Sequence, residues 1–135
     1  MKKLAIFISL LSVGCANAAN LNWFCFVSKD EAKPIYLAFA FANNKSTDAF
    51  VRYRNGSGVI SLKQKSLESI EMAEGRPFEN TYEYIEKTGR ADAGRYTVVV
   101  QGAVFYGFSY TSTKRAKPYE FVMDTASEGG SGCKW

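Results

Sequence analysis

Several stretches of this chain change side-chain character at every second residue, and that period narrows most sharply what it can fold into. Ile35, Leu37, Phe39 and Phe41 alternate with Tyr36, Ala38 and Ala40. In an extended strand successive side chains point to opposite faces, so the first set shares one face. Residues 81–87 do the same, with Tyr82 and Tyr84 on one face and Glu83 and Ile85 on the other. Residues 119–123 alternate again. Residues 50–54 and 59–63 are β-type runs around Asn55-Gly56-Ser57-Gly58. Asn-Gly between such runs signals a hairpin, because both residues tolerate positive φ. Residues 96–111 would extend on the order of 50 Å as one strand. That is too long for a small domain, so Gln101-Gly102 or Gly107 must break or bulge it.

One segment is ambiguous. In residues 66–74, Leu67, Ile70 and Ala73 recur at helical spacing beside a stripe of Glu68, Glu71 and Glu74. Read as a strand, which we favour, the segment turns Ile70 and Met72 inward. About eight short strands with turns between them then predict an all-β fold. It is a single small antiparallel β-barrel or sandwich.

The first residues carry a different message. Met1-Lys2-Lys3 is a short positive region, residues 4–13 are uncharged and mostly apolar, and Ala16-Asn17-Ala18 places small residues at a cleavage site. That order marks a secretory signal peptide. The apolar run is shorter than the roughly 20 residues needed to span a bilayer. Residues 1–18 are therefore expected to be removed, leaving 19–135 as one β-rich domain that is periplasmic or secreted. An alternative is processing as a lipoprotein. Leu11-Ser12-Val13-Gly14-Cys15 offers a cysteine that would carry acyl chains to a membrane.

Either route removes Cys15 from consideration, and two of the three cysteines remain. In an oxidising compartment Cys25 and Cys133 are expected to pair. Such a bond ties the first strand to the last. In the chain-entropy model, closing a loop of that length stabilises by roughly 4–5 kcal/mol. Charge shifts as well. The whole chain has 17 basic and 13 acidic residues, and Lys2 and Lys3 belong to the leader. The remaining excess is too weak for a nucleic-acid partner.

The available chemistry argues against an enzyme. With no histidine, Ser-His-Asp and Cys-His catalysis are excluded. There is no phosphate-binding glycine motif and no metal-ligand spacing, so no cofactor and no metal are expected. Glu71, Glu74, Glu83 and Glu86 are candidate carboxylates by residue type alone. Two surface features point to binding instead. Residues 88–96 hold Arg90, Asp92, Arg95 and Tyr96 between glycines, and arginine and tyrosine carry much of the energy at interfaces. Lys114-Arg115-Ala116-Lys117 is a basic loop suited to an anionic surface.

The layout resembles that of the bacterial periplasmic and membrane-bound inhibitors of c-type lysozyme. The residues that carry the likeness are the aromatic opening Leu21-Asn22-Trp23-Phe24-Cys25, the terminal Cys133, and the run from Ala49-Phe50-Val51-Arg52-Tyr53 to Ser61-Leu62-Lys63-Gln64. The resemblance implies a small antiparallel barrel. It also implies a loop bearing a Ser-Gly-x-x-Tyr motif that enters the lysozyme cleft. The closest stretch here is Asp92-Ala93-Gly94-Arg95-Tyr96, which keeps the tyrosine but lacks the serine and shifts the glycine. The expected function is an exported binding protein, an inhibitor or immunity protein against a cell-wall-degrading enzyme such as lysozyme. A structural, assembly or adhesion module of the envelope, binding protein or glycan, is the alternative. The intact mass of the exported protein checks the leader: a chain starting at Ala19 is expected, and an acylated Cys15 would appear as added mass.

Overall fold

The structure is a computed structural model that describes residues 21–42, 48–88, 93–129 and 132–135. The leader, Cys15, Arg90 and Asp92 lie outside the described residues. Eight antiparallel strands form a closed barrel: β1 Phe24–Ser28, β2 Tyr36–Phe41, β3 Asp48–Tyr53, β4 Val59–Ile70, β5 Glu79–Glu86, β6 Arg95–Gln101, β7 Val104–Thr111 and β8 Tyr119–Met123. Each strand pairs with its successor. The sheet closes where Phe26, Val27 and Ser28 of β1 face Met123, Val122 and Phe121 of β8.

Period two decides what fills the barrel. Phe26, Leu37, Phe39, Val51, Leu62, Tyr84, Tyr96, Val98, Phe108 and Phe121 converge inside as one cluster. Rings dominate, and they meet at angles that suit their quadrupoles. Phe39 stands edge-on to Phe41 and Phe108, while Phe26 stacks on Phe108 at 4.6 Å. The interior also changes character along its axis. Phe24, Phe41 and Phe105 gather near one mouth, and Tyr53, Tyr96, Tyr110 and Tyr119 near the other.

The long run of residues 96–111 is broken twice. Gly102 takes φ 60° in the two-residue turn between β6 and β7, a conformation glycine adopts without steric cost. The register then shifts beside Gly107, where Val99 faces Gly107 but Val100 faces Phe105, so Tyr106 bulges. The hairpin at Asn55-Gly56 also forms, although neither residue takes a positive φ. The connection is longer than a two-residue turn and closes with Gly56 N donating to Tyr53 O.

Residues 66–70 are strand, as favoured, but Ile70 and Met72 do not turn inward. Each is about half exposed. The reason lies in the register: the bulge between Gln64 and Ser66 sets Leu67 opposite the inward Tyr82, so Ile70, opposite Glu79, falls on the outer face. Among the described residues β3 pairs with β4 only as far as Asp48 opposite Lys63, and beyond it β4 pairs with β5 alone. Leu67, Ile70, Met72 and Phe78 therefore sit on an exposed arm.

The last residues lie outside the barrel. After a 3-10 turn at Thr125–Ser127, β9 Glu128–Gly129 and β10 Gly132–Cys133 form a small hairpin. Cys25 is bonded to Cys133, as expected, so the first strand is tied to the last strand of the chain. The barrel seam itself is closed by β8, and the disulfide instead straps residues 124–135 to the outer wall. Cys25 and Ala38 face outward in register, opposite Phe26 and Leu37, yet both are fully buried. Arg52 lies next in that outward row, and its guanidinium stands over Trp23 at 5.6 Å and over Trp135 at 5.3 Å. Arg52 Nε and Trp135 Nε1 are buried without a hydrogen-bond partner. Two cation–π contacts contribute roughly 0.5–2 kcal/mol each. Two orphaned donors cost roughly 1–3 kcal/mol each. These terms are of similar size, so the Arg52 contacts add little net stability.

The glycines give the sharpest test of packing. A Cβ on Gly94 would sit 2.5 Å from Thr111 O and from the Tyr110 ring, whereas one on Gly107 would reach only Val99 Cγ2 at 3.4 Å. Gly94→Ala should cost about 2–3 kcal/mol through overpacking. Gly107→Ala should cost under about 1 kcal/mol. Urea titration of both variants against the parent reads the difference.

Candidate functional site

The connection that carries Arg90 and Asp92 leaves the barrel at the end of β5 and returns at the start of β6. Its footing is the mouth lined by tyrosines. Tyr53 and Tyr96 share a hydrogen bond between their hydroxyls at 2.6 Å. Tyr96 packs on Tyr110 at 4.8 Å, and Tyr110 approaches Tyr119 at 6.3 Å. Glu86, the last residue of β5, is buried and points to the same side as Tyr84. A short strand end bearing an inward carboxylate among phenols is unusual, because a buried charge needs compensation. Its field is felt nearby. Burial, reinforced by Tyr110 and Glu86, pushes the Tyr53 phenol up to about 12 against the opposing hydrogen bond from Tyr96. Burial raises Tyr96 further, with Tyr53 and Glu86 adding to it. Burial likewise raises Tyr84.

The two described residues of the sequence-derived site part company here. Arg95 opens β6 and points outward, half-exposed, with Nη1 3.5 Å from Glu83 Oε1. Tyr96 points the other way and is 1% exposed. The expectation that Tyr96 supplies contact surface gives way to a different role: adjacent strand residues face opposite sides, so an exposed Arg95 forces Tyr96 into the core. Tyr82 and Tyr84 also line the interior, stacked at 5.9 Å, and offer no external platform.

Around Arg95 the outer surface forms a shallow hollow of about 400 Å³ lined by Lys65, Ile85, Ala93, Gly94, Arg95 and residues 111–113. The registers explain it. Ile85 faces Arg95 across β5–β6, and Arg95 faces Thr111 across β6–β7. The bulge between Gln64 and Ser66 leaves Lys65 unpaired in the ladder beside them. The hollow thus offers cations and hydroxyls around Ile85 and Ala93. The Arg95–Glu83 pair is exposed and contributes little to stability, so the guanidinium can be redirected to an acidic group on a partner.

The basic loop reads differently in three dimensions. Arg115 Nη2 donates to Glu31 Oε1 at 2.8 Å, and the guanidinium lies over Tyr119 at 3.9 Å. It fastens the β7–β8 connection to the β1–β2 connection rather than presenting free charge. The four candidate carboxylates do not converge. Glu71 and Glu74 are exposed in the β4–β5 connection, Glu83 faces outward, and Glu86 faces inward. Among the described residues no group of three or more His, Cys, Asp or Glu is placed to hold a metal.

Sequence reasoning missed Arg52 and the strap that covers it. In an alternating strand Arg52 reads as an ordinary outward charge, and nothing local links it to Trp23 or Trp135. No family model, curated protein or solved structure matches this chain.

The buried phenols set an alkaline limit. Their folded pKa values lie above the unfolded value near 10, so the folded state holds protons that the unfolded state loses. Stability should be intact below pH 10 and fall as pH rises beyond it. The slope is up to about 1.4 kcal/mol per pH unit for each fully buried phenol. Urea midpoints from pH 8 to 11.5, followed with tyrosinate absorbance, check this. Tyr96→Phe should flatten the slope.

Proposed function

We infer that this protein is an exported binding protein that blocks a cell-wall-degrading enzyme, as an inhibitor or an immunity protein. What supports the reading is the rigid footing of the 88–95 connection. It springs from a rim bolted by the Tyr53–Tyr96 hydrogen bond and the Tyr96–Tyr110 contact, with Arg95 outward at its base. Fixed residues at the base of a binding loop lower the ordering cost of association. The layout shared with the c-type lysozyme inhibitors agrees with this. Arg95 would meet an acidic group of the enzyme, with Lys65 beside it, while Tyr96 holds the loop base from within.

A second reading has its own observation. The arm of β4 and β5 carries Leu67, Ile70, Met72 and Phe78, each about half exposed. Large apolar side chains left exposed on one arm suit protein contact, and they favour an envelope assembly or adhesion module.

Titration of the purified protein against c-, i- and g-type lysozymes, scored by cell-wall lysis, separates the two. Inhibition of at least one type is expected. Arg95→Glu should then weaken it by about tenfold, or 1.4 kcal/mol, while leaving the thermal midpoint within a few degrees. No inhibition at micromolar excess removes the lysozyme reading. A pull-down from envelope extract with Leu67→Asp as control then tests the arm.

A further inference from the structure

The C-terminal strap and the barrel meet on different terms from those that hold the barrel together. Among the described residues none beyond Met123 belongs to the core cluster or to the closed sheet. The strap is held by the Cys25–Cys133 bond, by Asp124 N donating to Cys25 O, and by Trp135 against Arg52. That last contact leaves two buried donors unpaired. We propose that Cys25–Cys133 is a thiol-sensitive latch: reduction releases residues 124–135 from the outer wall while the barrel stays closed.

The chemistry is a thiol–disulfide exchange with a dithiol reductant. Cys25 is fully buried and Cys133 is half-buried, so attack at the Cys133 sulfur needs the smaller opening. The incoming thiolate bonds to that sulfur, the Cys25–Cys133 bond breaks, and Cys25 leaves as a thiolate that takes up a proton. The second thiol of the reductant then attacks the mixed disulfide and frees Cys133. The protein gains two electrons and two protons, and the reductant becomes a disulfide. Without the bond, water can reach Arg52 Nε and Trp135 Nε1, and satisfying those donors favours the open strap. The barrel keeps its own closure, because β1 and β8 pair directly through Phe26, Val27 and Ser28.

The molecule supplies its own reporter. The chain has two tryptophans, Trp23 and Trp135, and both flank Arg52. Tryptophan emission therefore reads the contact between strap and outer wall at Arg52, while far-ultraviolet dichroism reads the sheet. The folded, oxidised protein is treated with dithiothreitol, and reduction is verified by alkylation of two thiols in the intact mass. A disulfide can quench tryptophan, so emission wavelength and acrylamide accessibility are followed rather than intensity. The expected result is a red shift and several-fold higher accessibility with the sheet signal retained. New protease cuts should appear between residues 124 and 132. Loss of the sheet signal together with the tryptophan change overturns the proposal, because strap and barrel would then unfold as one unit. Unchanged tryptophan signals in fully reduced protein also overturn it, because the contacts alone would hold the strap. Starting from folded protein keeps the result independent of whether a Cys25→Ser, Cys133→Ser double variant can fold.

Discussion

The pairing of β1 with β8 is a contact between strands nearly a hundred residues apart, and the rest of the architecture follows from it. It removes both edges of an eight-stranded sheet, which would otherwise be open to pairing with other chains. It also fixes an inside. Once the sheet is closed, every second residue must fill a space of set width, and aromatic rings do so with few side chains. Contacts this remote in sequence are reached slowly, because the loop entropy comes before the reward. The disulfide spans a similar separation and reinforces the same outcome from the outer surface.

Much of this was legible in the residues. Alternation in β2, β5 and β8 revealed strands, and the length of the 96–111 run demanded the turn at Gly102 and the bulge at Tyr106. Cys25 and Cys133 were a pair by elimination. What was illegible depends on which strands face one another. Ile70 and Met72 carry the character of core residues, but the bulge between Gln64 and Ser66 reverses the facing of β4, and Ile70 falls on the outer side. Tyr96 looked like contact surface because tyrosine serves both roles. Its placement follows from Arg95 taking the outward direction. Arg52 was silent, since its partners lie at the two ends of the described chain.

The two ends of the barrel divide structural work. Phenylalanines close one mouth with apolar contact, and tyrosines close the other with contact and a hydrogen bond. The tyrosine mouth also carries the connection that holds the candidate binding residues. Burial raises the Tyr53 and Tyr96 phenols of that rim, and Glu86 adds to it. The same groups that stiffen the loop base tie its integrity to the protonation of buried hydroxyls.

In covalent terms, the bond between Cys25 and Cys133 makes residues 25–133 a ring. A single cut in any exposed connection, such as 54–58 or 71–78, leaves two fragments that cannot drift apart. They remain joined through sulfur and through their neighbours in the sheet. Such a molecule can survive in surroundings rich in proteases, and its exposed hairpin ends are free to lengthen, shorten or be clipped without loss of the enclosed core.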